Sequence, residues 1–169
     1  METRYRLSES EERKRYELHN NDPQDIEYRR FLCRLADPLC EMLNPAAQGL
    51  DFGSGPGPTL SLIMEERGFR VKNYDPFFSP DAVNLQQQYD FVIATEVIEH
   101  LFQPHDELQG LVSLIRPGGL LAIMTEIRDP EIPFGEWHYP RDPTHVAFYD
   151  EVTMRWIATH WKLEVVAPQ

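Results

Sequence analysis

The stretch Gly49-Leu50-Asp51-Phe52-Gly53-Ser54-Gly55-Pro56-Gly57 closes a short apolar run on an acid and then sets a glycine at every second position. Gly49 to Phe52 reads as a strand, and Pro58 to Arg67, stopped by Gly68, reads as a helix. A glycine-rich turn between strand and helix is a ligand loop. Glycine permits the tight turn and the close approach of backbone to a ligand, and free N–H groups at the helix start hold an anion.

Working outward, Phe69 to Tyr74 reads as a second strand and Tyr89 to Ala94 as another. A helix follows near His105 to Ile115, then a Pro117-Gly118-Gly119 turn and an apolar strand from Leu120 to Thr125. Asp150 caps a predicted helix to about Thr159, and Leu163 to Val166 supplies a last strand. Short apolar runs alternating with helical stretches are the signature of βαβ units, so the sequence predicts an α/β fold with a doubly wound, mostly parallel sheet. Ahead of it, Ser8-Glu9-Ser10-Glu11 has the form of a capping box opening a helix that stops near Asn20 to Pro23. Ile26, Phe31, Leu32, Leu35 and Leu39 recur at helical spacing, with Asp37-Pro38 placed to break and restart that second helix. The predicted division is a helical leader over residues 1–44 and one compact domain over 45–169.

The 169 residues, 41% of them apolar, fill one core without disulfides or a structural metal. Cys33 and Cys40 stand seven apart, poor spacing for zinc, and read as reduced packing residues. No apolar run is long enough to span a bilayer, and the first residues lack a secretory signal, which points to the cytoplasm. A net charge of -12 disfavours a phosphate backbone as partner and favours a small-molecule substrate, with the chain a monomer or homodimer.

The glycine loop alone also suits a dinucleotide, but Pro58 stands where that fingerprint wants its third glycine. Between Asn73 and Ile115 there is no Lys or Arg, while seven acids occur: Asp75, Asp81, Asp90, Glu96, Glu99, Asp106 and Glu107. Such a stretch is a poor home for phosphates, and a nicotinamide cofactor is correspondingly weak. It suits a sulfonium cofactor, cationic at sulfur and bearing one ammonium and one carboxylate. Asp75 lies 20 residues after Gly55, where a carboxylate accepts from both ribose hydroxyls, and Asp51, Asp75 and Glu96 all fall at carboxyl ends of predicted strands.

Asp51-x-Gly53-x-Gly55-x-Gly57, Asp75, the run Tyr89-Asp90-Phe91-Val92-Ile93-Ala94-Thr95-Glu96-Val97-Ile98-Glu99-His100 and Leu114-Ile115-Arg116-Pro117-Gly118-Gly119 together resemble class I S-adenosylmethionine-dependent methyltransferases, in the branch of the ubiquinone-biosynthesis O-methyltransferases. The resemblance covers about Gly49 to Thr125, and Asp142-Pro143-Thr144-His145-Val146 is similar to a later segment of the branch. It implies a Rossmann-like fold and S-adenosylmethionine as cofactor. By it, Asp51, Gly53, Ser54, Gly55 and Gly57 cradle the methionine part, Asp75 holds ribose, and Thr95 and Glu96 line the methyl-transfer side. Two departures stand out. Tyr89 follows Asp75 by only 14 positions, where the family fits a third strand and another helix, so that module is abbreviated and Pro76-Phe77-Phe78 is left to meet adenine. The sequence stops after Gln169, where many relatives continue into a final hairpin strand, so the C-terminus is abbreviated as well.

Methyl transfer from sulfonium needs alignment above all, so no fixed catalytic residue is implied. Three histidines compete for a base role: His100, right after the Glu96–Glu99 run, and His138 and His145, in the aromatic loop Trp137-His138-Tyr139-Pro140 expected to cover the acceptor. His19, His105 and His160 read as surface or capping residues. The expected function is methyl transfer to a small-molecule acceptor, at oxygen by resemblance; the alternative is a non-catalytic S-adenosylmethionine-binding module of an assembly.

Overall fold

A computed structural model of the chain describes residues 6–18 and 21–166. The expectation for His19 lies outside the described residues. Four strands, β1 (Gln48–Phe52), β2 (Arg70–Tyr74), β3 (Tyr89–Thr95) and β4 (Ile115–Met124), form one all-parallel sheet in the order β2-β1-β3-β4. The chain runs outward from β1 to β2 and then crosses back to β3. The carboxyl ends of β1 and β3 therefore flank the point where strand order reverses, which is where open α/β sheets bind ligands.

β3 is the spine of the molecule. Phe91, Val92, Ile93 and Ala94 are all fully buried, the continuous apolar run of a parallel strand covered on both faces. The two-residue period of the strand sorts them. Val92 and Ala94 join Leu50 in a cluster with Leu108 and Leu111 of α4 (Pro104–Ser113) and Ile157 of α5 (Glu151–His160). Phe91 and Ile93 face the other way, onto Leu32, Ala36 and Leu39 of α2 (Ile26–Met42) and Leu60, Ile63 and Met64 of α3 (Thr59–Glu66). Each of the Val, Leu, Ile, Phe and Met side chains among them contributes roughly 1.5–3 kcal/mol relative to exposure.

Between β2 and β3 a single 3-10 turn, Ala82–Gln86, stands where a longer crossover is usual. Asp81 caps it through Val83 N–H at 3.1 Å, the Asn84 amide donates to the Asn73 carbonyl at 3.0 Å, and the Tyr89 hydroxyl donates to the Asn84 carbonyl at 2.8 Å. The abbreviated module is thus a short strap pinned to both strands it joins.

Three local expectations are corrected. Helix α2 runs unbroken past Pro38. The carbonyl of Arg34 loses its N–H donor there but lies on the exposed side, open to water, while Leu32, Ala36 and Leu39 anchor both halves in one core. In β4, Tyr89 pairs with Ile115 and Phe91 with Leu120, so Arg116 to Gly119 bulges from within the strand and does not precede it. Arg116 fixes the bulge by an ion pair of 2.7 Å to Asp90. Leu163 to Val166 forms no strand: Leu163 N–H closes the end of α5 on Ala158 at 2.8 Å, Lys162 turns the backbone at φ 55°, and Val165 and Val166 stay exposed.

The first helix, α1 (Glu9–Tyr16), buries none of its residues. Glu11 reaches back to the Ser8 N–H at 2.9 Å, the capping-box contact the sequence predicts. Likewise Asp150 caps α5 through Thr153 N–H at 2.7 Å. Among the described residues no helix is long and apolar enough to cross a membrane.

Candidate functional site

The glycine loop is folded tightly onto the end of the neighbouring strand. Gly53 N–H and Ser54 N–H donate to the Tyr74 carbonyl at 2.8 and 3.3 Å, and Gly55 N–H donates to the Asp75 carboxylate at 3.0 Å. Gly53 has φ 76°, and a Cβ there would stand 2.4 Å from Val97, so both backbone shape and space require glycine. At Gly57 a Cβ would stand 2.5 Å from the Asn21 carbonyl, which itself accepts from the Thr59 hydroxyl at 2.8 Å.

A cavity of about 820 Å³ opens beside this loop. All nine cofactor-side residues expected from the sequence line it: Asp51, Gly53, Ser54, Gly55, Gly57, Asp75, Pro76, Thr95 and Glu96. The described lining also holds Glu12 and Tyr16 of α1, Phe102, Glu107 and Asp142. Among the described lining residues six are acids and none is Lys or Arg. Such a wall favours a cationic guest and opposes phosphates.

Each acid is held differently. Asp51 is 3% exposed, and burial pushes its carboxyl up to about 7, against the pull of the Ser61 hydroxyl at 3.3 Å and with the help of nearby Asp75. A ligand ammonium would restore the charge that burial disfavours. Asp75 accepts from Gly55, Phe77 and Phe78 N–H at 3.0, 2.8 and 3.0 Å. Its carboxylate thus braces the loop, and a carboxylate's roughly four lone-pair sites leave room for a hydroxyl as well. Glu96 is raised above the usual carboxylate range by burial and by Glu99 next to it. Two buried hydroxyls, of Ser54 and Thr95, have no protein partner, and both residues line the cavity. Polar atoms in that state fit a polar ligand, here the methionine and ribose parts of S-adenosylmethionine.

His100 and His145 lie edge to face with ring centroids 4.9 Å apart, and both line the cavity. The Nδ1 of His100 meets the Thr144 carbonyl at 3.0 Å, and that of His145 meets the Tyr139 carbonyl at 2.8 Å. A carbonyl only accepts, so each neutral ring carries its proton on Nδ1 and keeps Nε2 as an acceptor. Burial also lowers the pKa of His100 and favours its neutral form.

The loop from Pro133 to His145 is arranged differently from the expectation. Of it, only Asp142 and His145 line the cavity. The side chain of His138 is 72% exposed and sits 3.2 Å from the Glu126 carboxylate, outside the cavity. Trp137 and Tyr139 do not line the cavity; both are buried and pack with Phe148. The reason is that their polar edges find partners inside: the indole N–H donates to Glu126 and the phenol to Glu99.

Glu99 is the residue that sequence reasoning left without a role. It is fully buried after β3 and accepts from the Tyr139 hydroxyl and from the Thr125 hydroxyl at 3.0 Å, while its carbonyl holds Val146 and Ala147 N–H at 2.8 and 3.0 Å. Its carboxyl, His100 and His145 offer potential ligand atoms within 4.8 Å of one another, but the Glu99 oxygens and both Nδ1 atoms already have protein partners. We assign no metal role to them. The recurrence of carboxylates at Glu96 and Glu99 was visible in the sequence; the Tyr139 that joins them lies 40 positions beyond Glu99 and was not.

A family model described as a methyltransferase domain matches residues 25–167. The ubiquinone biosynthesis O-methyltransferase of Aeromonas salmonicida is 31% identical over 83 residues, covering 49% of this chain and 35% of that enzyme. Its counterpart in Ruegeria pomeroyi is 26% identical over 136 residues, 79% of this chain and 50% of the enzyme, so the chain spans half or less of the length of these relatives. In fold, the PH0226 protein of Pyrococcus horikoshii aligns with a TM-score of 0.55 at 16% identity, over 87% of this chain and 88% of that one. The family match spans most of the chain, and it joins the parallel sheet, the braced glycine loop and the acidic cavity at the switch point in one assignment: the chain belongs to the methyltransferase domain family, whose cofactor is S-adenosylmethionine.

Proposed function

We propose that the chain transfers the methyl group of S-adenosylmethionine to a hydroxyl of a small-molecule acceptor, with His145 as the first candidate to receive the proton and His100 as the second. The observation that carries the reading is the pair of histidines lining the cavity beside the glycine loop, each with Nδ1 on a backbone carbonyl and Nε2 left as an acceptor.

Bound cofactor supplies an electrophilic methyl on a cationic sulfur. The chain does the rest. Asp51 would hold the ammonium, Ser54 and the loop the carboxylate and Asp75 the ribose, while Glu96 would supply negative charge to a sulfonium. His145 Nε2 would receive the proton that an acceptor hydroxyl gives up on taking the methyl group, with S-adenosylhomocysteine as the other product. The imidazolium then keeps its Nδ1 bond to the Tyr139 carbonyl. Orientation contributes roughly 7–11 kcal/mol to such a step, and a base adds about 10²- to 10⁴-fold.

Helix α1 serves as a lid. Glu12 and Tyr16 line the cavity, and the Tyr16 ring packs on His100 and Phe77 at 5.4 and 5.8 Å. The test is an acceptor screen read by S-adenosylhomocysteine release. Turnover with phenols or alcohols that His145→Ala abolishes supports the proposal, and turnover only with amines or thiols refutes the oxygen assignment.

A further inference from the structure

We infer that Tyr139, which does not reach the cavity, is a positioning residue for cofactor recognition: its buried hydroxyl keeps Glu96 a carboxylate facing the cavity, so that the site distinguishes a sulfonium from a neutral thioether. The inference rests on the cofactor reading above and adds a residue to it.

The geometry is specific. The Tyr139 hydroxyl stands 3.2 Å from Glu96, against Glu99, and 3.1 Å from the Thr125 hydroxyl. Thr125 in turn donates to the other Glu99 oxygen at 3.0 Å. Two carboxyl groups three positions apart thus converge on one phenol in the interior, and only Glu96 lines the cavity. Its backbone is bent to put it there. Glu96 has φ 51°, one of three non-glycine residues with positive φ among those described, and its N–H is tied to the Met124 carbonyl at 2.7 Å. A non-glycine residue held in that region is sparsely populated and marks a place where the surroundings dictate the conformation.

The charged surroundings of Glu96 are unfavourable to it. Glu99 follows on the turn after β3 and Glu126 follows β4, and both push against a charge on Glu96. Two like charges so close favour sharing a proton, which would neutralise the group facing the cofactor. The single phenolic proton, set between the two carboxylates with Glu99 its nearer acceptor, opposes that added proton and holds the negative charge in place. S-adenosylmethionine and S-adenosylhomocysteine differ by one methyl and one positive charge at sulfur, so the ratio of their dissociation constants reads the charge on Glu96 and does not read loose packing, which weakens both alike.

The experiment is calorimetric titration of both ligands across pH 6 to 9, with no acceptor needed. Tyr139→Phe keeps the ring against Trp137 and His145 and removes only the hydroxyl. At neutral pH it is expected to shift the ratio of dissociation constants by about tenfold toward the thioether, the equivalent of one pKa unit on Glu96. Glu96→Gln is expected to shift it at least as far at every pH. A ratio unchanged in Tyr139→Phe overturns the inference whether or not Glu96→Gln moves it. If Tyr139→Phe does not fold, 3-fluorotyrosine at position 139 keeps the ring and strengthens the donor. It should carry the wild-type ratio to lower pH, and an unchanged profile likewise overturns the inference. Failure of wild-type protein to bind either ligand instead refutes the cofactor reading itself.

Discussion

Arg15 and Asp142, 127 positions apart in the chain, meet in an ion pair of 2.9 Å that ties helix α1 to the loop bearing His145. Asp142 is partly buried, yet Thr144 and Arg15 hold its carboxyl below the usual carboxylate range. Asp142 of this pair lines the cavity, as does Tyr16, next to Arg15.

Arg15→Ala is therefore expected to act on closure more than on stability. The arginine is 43% exposed, so its loss should change unfolding free energy by less than about 1 kcal/mol. Release of S-adenosylhomocysteine, followed by stopped-flow, should accelerate several-fold. An unchanged release rate would argue that α1 merely covers the sheet.

Asp75→Ala removes a carboxylate that serves two masters, the loop and the proposed ribose. Charge-assisted hydrogen bonds contribute roughly 1.5–3 kcal/mol, so affinity for S-adenosylhomocysteine should fall roughly ten- to a hundredfold. Because Gly55 N–H also loses its acceptor, amide exchange in the glycine loop should quicken while that of β3 does not. Retained affinity in the folded variant would remove Asp75 from the site.

Asp51 gives a pH signature. Its carboxyl rises from 3.8 to about 7 on burial, so through that window the folded chain holds a proton that the unfolded chain has released. This contribution to stability is complete below about 4 and is lost as pH climbs to about 7. Asp51→Asn keeps the neutral form at all pH values. Its melting temperature should exceed that of wild type at pH 8 by a few degrees and by less at pH 5, while S-adenosylhomocysteine binds at least tenfold more weakly. Equal melting shifts at both pH values would show that the charge on Asp51 is not what matters.

The histidines separate orientation from proton transfer. His145→Ala should lower turnover by about 10²- to 10⁴-fold with near-normal S-adenosylhomocysteine binding, and His138→Ala should stay within about twofold of wild type. A large loss in His138→Ala alone would reverse the roles that the geometry supports.

What the sequence made legible follows from how far apart the interacting residues lie. The glycine loop, Asp75 and the Thr95–Glu96 pair each sit at the end of a strand whose own residues announce it, so local pattern was enough to gather the cofactor side. The choice among histidines was not local. His138 and His145 share one loop, and what parts them is that Tyr139 turns inward to Glu99, leaving its carbonyl to orient His145 and its neighbour His138 outside. Pro38 was misread for the same reason: a proline is a local signal for a break, and the core contacts of Leu32, Ala36 and Leu39 that override it are tertiary. Leu163 to Val166 has strand-forming residues but pairs with no strand among the described residues.

Calorimetric titration of the wild-type chain with S-adenosylhomocysteine and, separately, with NAD decides whether the acidic cavity beside Gly53 and Gly55 holds S-adenosylmethionine. The expected result is saturable binding of S-adenosylhomocysteine at one site, displaced by S-adenosylmethionine, and no heat with NAD, because no Lys or Arg among the described residues lines the cavity to meet its phosphates. Saturable NAD binding without a response to S-adenosylhomocysteine would contradict the account.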